Sequence, residues 1–160
     1  MSTSQDTAAE RVRELMERIA VAAGVDATIE IHEDADGLHA EFVGDGDDLG
    51  LLIGHHGQTI DAIQHLAYRI ASQNSDPARP RVSVLVDAAG YRERRAIALR
   101  ATADQAAQQA ISGRRAVSLD AMSALERKVI HEHLKDRHDV ETYSEGQEPS
   151  RYLVVAPLVD

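Results

Sequence analysis

Cysteine and tryptophan are absent from this 160-residue sequence, and its aromatic side chains amount to four Tyr and one Phe. Without Cys there is no disulfide scaffold, no thiolate metal site and no Cys nucleophile, which suits a reducing cytoplasm. So few rings leave little from which to build an aromatic cage or a base-stacking platform. Any contact with nucleic acid therefore has to rest on backbone and charge. No apolar run reaches the ~18 residues that a membrane span requires. The polar opening Met1 to Glu10 has no apolar stretch of the kind a secretory signal carries. The expectation is a cytoplasmic chain with no membrane insertion.

Catalytic signatures are equally scarce. There is no GxSxG, no Walker P-loop and no GxGxxG. His131 and His133 would diverge by about 200° around a helix, so His131-Glu132-His133 is not a zinc-protease arrangement. Asp34, Asp36, Asp45, Asp47 and Asp48 lack the loop and closing Glu of an EF-hand, which leaves them turn and cap roles. No cofactor, no metal and no enzymatic activity is expected.

What is present is enough apolar material, 43% of residues, for one ordinary domain or two small ones. The formal charge of −10 would repel nucleic acid, but the average conceals a pattern. Residues 1–53 hold 3 basic and 13 acidic side chains, residues 54–115 hold 9 and 5, and residues 116–160 hold 5 and 9. The middle third is basic.

Hydrophobic spacing and caps give the elements. Thr7 to Glu10 forms a capping box for a helix carrying Val12, Leu15, Met16, Ile19, Ala22 and Ala23, closed by Gly24. Ala27 to His32 and Leu38 to Val43 read as a hairpin around Asp36-Gly37. Asp48 is a cap for a short helix, Leu49 to Ile53. A second helix restarts after Gly57 with Ile60, Ile63, Leu66, Ala67 and Ile70 on one face. A polar loop at 74–80 leads to a strand over Arg81 to Val86. A long helix, about Gly90 to Ile111, places Leu99, Ala103, Ala106, Ala107 and Ala110 inward. A short strand near Ala116 to Ser118 follows. A helix behind a second capping box, Ser123 to Glu126, comes next, and then a hairpin from Val140 to Ser144 and Tyr152 to Ala156. The order is αββααβ, then α, then βαββ, an α+β chain.

Two motifs carry chemistry in that order. Gly54-His55-His56-Gly57 joins two helices, so the backbone can approach a phosphodiester while amides at the second helix's start face it. Two glycines also solve a tight helix-helix turn whatever the function. Arg127 and His131 lie four apart on one helix and project side by side, which by itself also suits a solvated face. Arg92 and Arg95, on the long helix, are candidate phosphate contacts or simply a solvated face paired with Glu93 and Asp104.

The first arrangement, with Ile53 before the loop and Gln58-Thr59-Ile60 after it, resembles a type II KH domain. The segment ALERKVIHEHL, followed by VETYSEGQEPSRYLVV, resembles the RxxxH signature and hairpin of the R-three-H domain, a small single-stranded nucleic-acid-binding fold. Together, joined by VDAAGYRERRAIALR, they resemble the Jag family, also called KhpB or SpoIIIJ-associated, over roughly residues 8 to 157. The expected organisation is a KH domain over residues 1–88 and an R-three-H domain over 89–160, without the Jag-N domain that many members carry.

The resemblance implies a non-enzymatic bacterial RNA-binding protein, a chaperone-like post-transcriptional regulator linked to cell growth, division or envelope synthesis. Its ligand would be single-stranded RNA, with single-stranded DNA as the variant. A smaller KH-only protein would be its partner. Gly54, His55, His56 and Gly57 would hold the RNA backbone, with bases against an apolar groove from Ile53, Ile60, Ile63 and Val84. Arg127 and His131 would extend the contact. One departure stands out: KH loops that bind RNA well usually carry Lys or Arg between the glycines, whereas imidazole, with an ordinary pKa near ~6.5, is mostly neutral at neutral pH. The alternative is therefore a protein-interaction scaffold that keeps the KH shape without strong RNA affinity. Salt dependence separates the two.

Overall fold

The computed structural model describes residues 7–73, 78 and 81–158, and its first described residue caps the first helix. The Thr7 amide donates to Glu10 Oε2 (2.7 Å) and the Glu10 amide donates back to Thr7 Oγ1 (3.2 Å), opening α1, Ala8–Ala23. Val12, Met16 and Ala20 form its fully buried stripe, so the stripe ends on Ala20 and leaves the expected Ala22 and Ala23 in solvent. Gly24 at φ 70° ends the helix, and the Val25 amide reaches back to the Ala20 carbonyl.

Strands β1, Ala27–Asp34, and β2, Gly37–Gly44, pair antiparallel out to Asp34 opposite Gly37, leaving only Ala35 and Asp36 as the turn. Asp34 Oδ1 accepts from the Asp36 and Gly37 amides (2.8 and 3.2 Å), so the hairpin is tighter than sequence suggested. Helix α2, Gly46–Ile53, starts directly after β2 and is capped by Asp45, whose Oδ1 accepts from the Asp47 amide; Asp48, the expected cap, sits inside its first turn. A 3-10 turn at His55–Gly57 leads into α3, Gln58–Ala71. Ile60, Ile63, Ala67 and Ala71 are buried there, while Leu66, expected inside, is half exposed.

The loop expected at 74–80 lies outside the described residues except for residue 78. Strand β3, Val84–Ala88, begins three residues later than its β-branched run, because its extent is set by parallel pairing with Leu38 to Phe42 of β2. Leu38, Ala40, Phe42, Val84, Val86 and Ala88 point into one core with α1, α2 and α3. Phe42 and Met16 are fully buried, each contributing about 2–3 kcal/mol of transfer free energy. The outer sheet face is different in kind. Strand register aligns Glu30, Glu41 and Asp87 in one cross-strand row and His32, His39 and Leu85 in the next. These line a shallow cavity of about 500 Å³.

The chain divides into two compact units, Met1–Arg92 and Glu93–Asp160. In the second, α4, Tyr91–Gly113, buries Leu99, Ala103, Ala106, Ala107 and Ala110, the five residues its spacing predicts. Its alanines share one buried core with Ile130 and Leu134 of α5, Ala124–Leu134, and with Val140, Leu153 and Val155. Those last three belong to a sheet of order β4-β6-β5, formed by Val117–Ser118, Tyr152–Pro157 and Val140–Glu145. Ser123 caps α5, accepting from the Glu126 amide, but the expected box is only half made. The Glu126 carboxylate turns instead to Arg95.

Candidate nucleic-acid interface

The loop between α2 and α3 is shaped by its two glycines. Gly54 adopts φ 74°, ψ −178°, and Gly57 φ 76°, ψ 11°, both costly for any residue with a Cβ. Space forbids a Cβ as well: at Gly54 it would fall on the Thr59 hydroxyl, and at Gly57 it would come within 2.8 Å of the Tyr91 ring. Between them His56 is itself left-handed at φ 51°, and the His55 and His56 rings are stacked, centroids 3.9 Å apart. Both rings are exposed. No side chain caps the start of α3; the Gly57 amide donates to the Gly54 carbonyl (3.3 Å) and the Gln58 amide to that of His55, and the positive end of the helix dipole lies behind the imidazoles.

Of the four apolar residues expected to line a groove, only Ile53 has surface to offer. Ile60 (0% exposed), Ile63 and Val84 lie buried in the core. Arg69 is exposed but sits in the last turn of α3, at the end away from the loop; Arg81 donates to the Tyr68 hydroxyl at 3.4 Å, and Arg79 lies outside the described residues.

Arg92 is committed to bonds within the first unit. Its guanidinium donates to Asp61 Oδ1 (2.9 Å), Gln64 Oε1 (2.9 Å) and the Val86 carbonyl (2.7 Å). Asp61 sits in the first turn of α3, so the pairing cancels a carboxylate one turn from the loop. Arg95 donates from Nε to Glu126 Oε1 at 2.6 Å, tying α4 to α5. Arg92 thus bonds Asp61 and Arg95 bonds Glu126, neither of which helical spacing suggested; Arg100 approaches Glu93 (3.9 Å), and His133 pairs with Asp104 (2.9 Å).

Arg127 and His131 both turn toward the final hairpin. Arg127 is only 7% exposed. Its Nη1 donates to the carbonyls of Met122 (2.6 Å) and Arg151 (3.3 Å), and Nη2 forms an ion pair with Glu148. That hydrogen bond holds the Glu148 carboxyl below its ordinary range. One turn on, His131 Nδ1 lies 2.5 Å from Thr142 Oγ1 on β5, while its ring stays exposed. The pair fastens α5 to the hairpin at two points, and Glu148, the buried end's partner, carried no signal in sequence beyond its place in a turn.

Comparison with known proteins adds family to geometry. The KhpA/KhpB KH domain model matches residues 9–84, and the R-three-H domain model matches residues 97–157. The RNA-binding protein KhpB of Lactiplantibacillus plantarum is 38% identical over 138 residues, covering 86% of this chain and 42% of the relative. That of Clostridium symbiosum is 33% identical over 154 residues, covering 96% and 66%. That of Bacillus subtilis is 34% identical over 113 residues, covering 69% and 53%. The chain spans about two fifths to two thirds of the length of these relatives.

Proposed function

This chain belongs to the Jag/KhpB family, a KhpA/KhpB-type KH domain followed by an R-three-H domain, and from that premise we propose that it binds single-stranded RNA through the Gly54 to Gly57 loop. The observation that carries the reading is the loop itself, two left-handed glycines holding exposed imidazoles beside an uncapped helix start. Gly54 and Gly57 let the RNA backbone approach, the positive end of α3 faces the phosphate, and the His55 and His56 rings add side-chain donors. Ile53 offers the apolar surface for a base and Ile60 supports it from below. Arg92 keeps Asp61 neutralised, and Arg95 fixes α5, so both act by positioning. His131 presents the second unit's contact, with Arg127 holding the hairpin beside it.

The wider reading follows from the family. Residues 1–88 serve as the KH domain and 89–160 as the R-three-H domain, neither an enzymatic type. The chain acts as a cytoplasmic post-transcriptional regulator of growth, division or envelope synthesis, with a smaller KH-only protein as partner.

A titration of short labelled single-stranded RNAs at low salt tests this. Saturable binding is expected, with log affinity falling against log salt by ~0.7 for each phosphate engaged. Salt-independent or absent binding would hand the chain to the scaffold reading.

A further inference from the structure

The exposed face of α5 does not look like a solvated helix face. Leu125 (58% exposed) stands outside the buried set Glu126, Arg127, Ile130 and Leu134, and Ile97 on α4 is similarly open at 56%. Leu125 and Val129 line an open groove of about 460 Å³ within the second unit. Arg100 from α4 and Lys128 from α5 supply its cations, with His133 and Glu132 completing the wall.

The groove's charges are unequally occupied. Glu132 is taken by Lys135 (2.7 Å), which also lowers the Glu132 pKa, and His133 is taken by Asp104 (2.9 Å). Lys128 enters none of the ion pairs found among the described residues, acting on Glu132 only through space. Arg100 has only a long 3.9 Å approach to the solvated Glu93. Two available cations therefore flank a small aliphatic floor, while Arg127 of the signature is buried and occupied by Glu148.

We propose that the groove between α4 and α5, with Arg100 and Lys128 on phosphate and Leu125 and Val129 against a base or ribose, is a binding site for a nucleotide of single-stranded RNA. The proposal rests on the RNA-binding reading above and adds a contact face distinct from the loop and from His131. Charge complementarity selects the occupant. Two aliphatic side chains offer far less apolar area than a stable protein interface of ~1,200 Å² or more requires. A pocket of this volume instead suits one small polar-apolar ligand unit with its charge at the rim.

The test uses the full chain carrying His55→Asp and His56→Asp, which silences the loop, and a short labelled oligouridine containing 4-thiouridine. Residual binding is expected at low salt, with photo-crosslinks on the Leu125 to Glu132 segment. Adding Arg100→Glu and Lys128→Glu should lower that binding at least ~10-fold and abolish those crosslinks. The milder Arg100→Gln and Lys128→Gln pair should flatten the salt slope by roughly 1.4, or ~0.7 for each phosphate no longer engaged. All four positions are exposed, and an unchanged melting temperature would confirm that folding is intact. Crosslinks confined to His131 and the hairpin, or residual affinity indifferent to these charges, would overturn the proposal. So would loss of all binding in the loop-silenced chain while wild type binds, or a Glu-rich peptide displacing the RNA and crosslinking there in its place. Failure of wild type to bind any RNA would instead strike the RNA-binding function itself.

Discussion

Replacing His55 and His56 together by aspartate is expected to weaken single-stranded RNA binding roughly 100-fold. Each new carboxylate would stand about 6 Å from a phosphate held at the loop. At an effective dielectric of ~40, between bulk water and a protein surface, that repulsion is about 1.4 kcal/mol per charge, or tenfold each. The fold should survive, because both side chains are exposed and Asp tolerates the left-handed backbone seen at His56 better than most residues. The converse pair, His55→Lys and His56→Lys, should strengthen binding, since each Lys brings a permanent positive charge to the loop. Anisotropy titrations of the three chains at one salt concentration read both effects. Equal affinity of wild type and the aspartate chain would move the RNA site to the second unit.

The second large effect is on stability. Arg127→Ala strips donors from two carbonyls and leaves Glu148 without its ion-pair partner, at a position almost closed to water. Losing a buried multidentate cation of this kind costs on the order of 2–3 kcal/mol, discounted because Glu148 itself is half exposed. For a unit of this size the melting temperature should fall by about 10–15 °C. Arg127→Lys should recover only part, because an ammonium cannot span both carbonyls and the carboxylate. The pH dependence has a definite sign. The Glu148 carboxyl is lowered from its ordinary 4.5 by the Arg127 hydrogen bond, so the pair stabilises fully above that value. That contribution is lost as pH falls through the depressed folded value. The gap between wild type and Arg127→Ala should therefore narrow in acid. A melting temperature within about 3 °C of wild type at neutral pH would show that Arg127 is not a structural clamp.

Legibility in sequence followed the range over which each signal acts. The α1 box, the Gly24 stop and the alanine stripe of α4 are set by neighbours within a turn or two, and all stand as read. Strand β3 was displaced because a strand's ends depend on its partner, here Leu38 to Phe42, far away in the chain. The Glu126 half of the second box failed for a related reason. Arg95, thirty-one residues upstream, outcompetes the local backbone amide for the carboxylate. At the candidate site the GxxG spacing revealed the loop but not the Tyr91 ring that makes Gly57 irreplaceable by steric means. Likewise the RxxxH spacing placed Arg127 and His131 on one side of α5 but could not show that the hairpin closes over the arginine. A signal for the α4 and α5 groove was present: Leu125 falls outside the inward periodicity of its helix.

The row of Glu30, Glu41 and Asp87 across the outer sheet face has a kinetic consequence. Three carboxylates in register, set against the single Arg13 guanidinium that lines the same cavity, present an approaching polyanion with a net repulsive surface on the outer face of the KH sheet. On the RNA-binding function proposed above, encounters that begin there would dissociate early, whereas those that begin on the helical side would meet the loop and its imidazoles. This carboxylate row would then act as an orientation filter, lowering the overall rate of capture while raising the fraction of collisions that arrive in the productive pose.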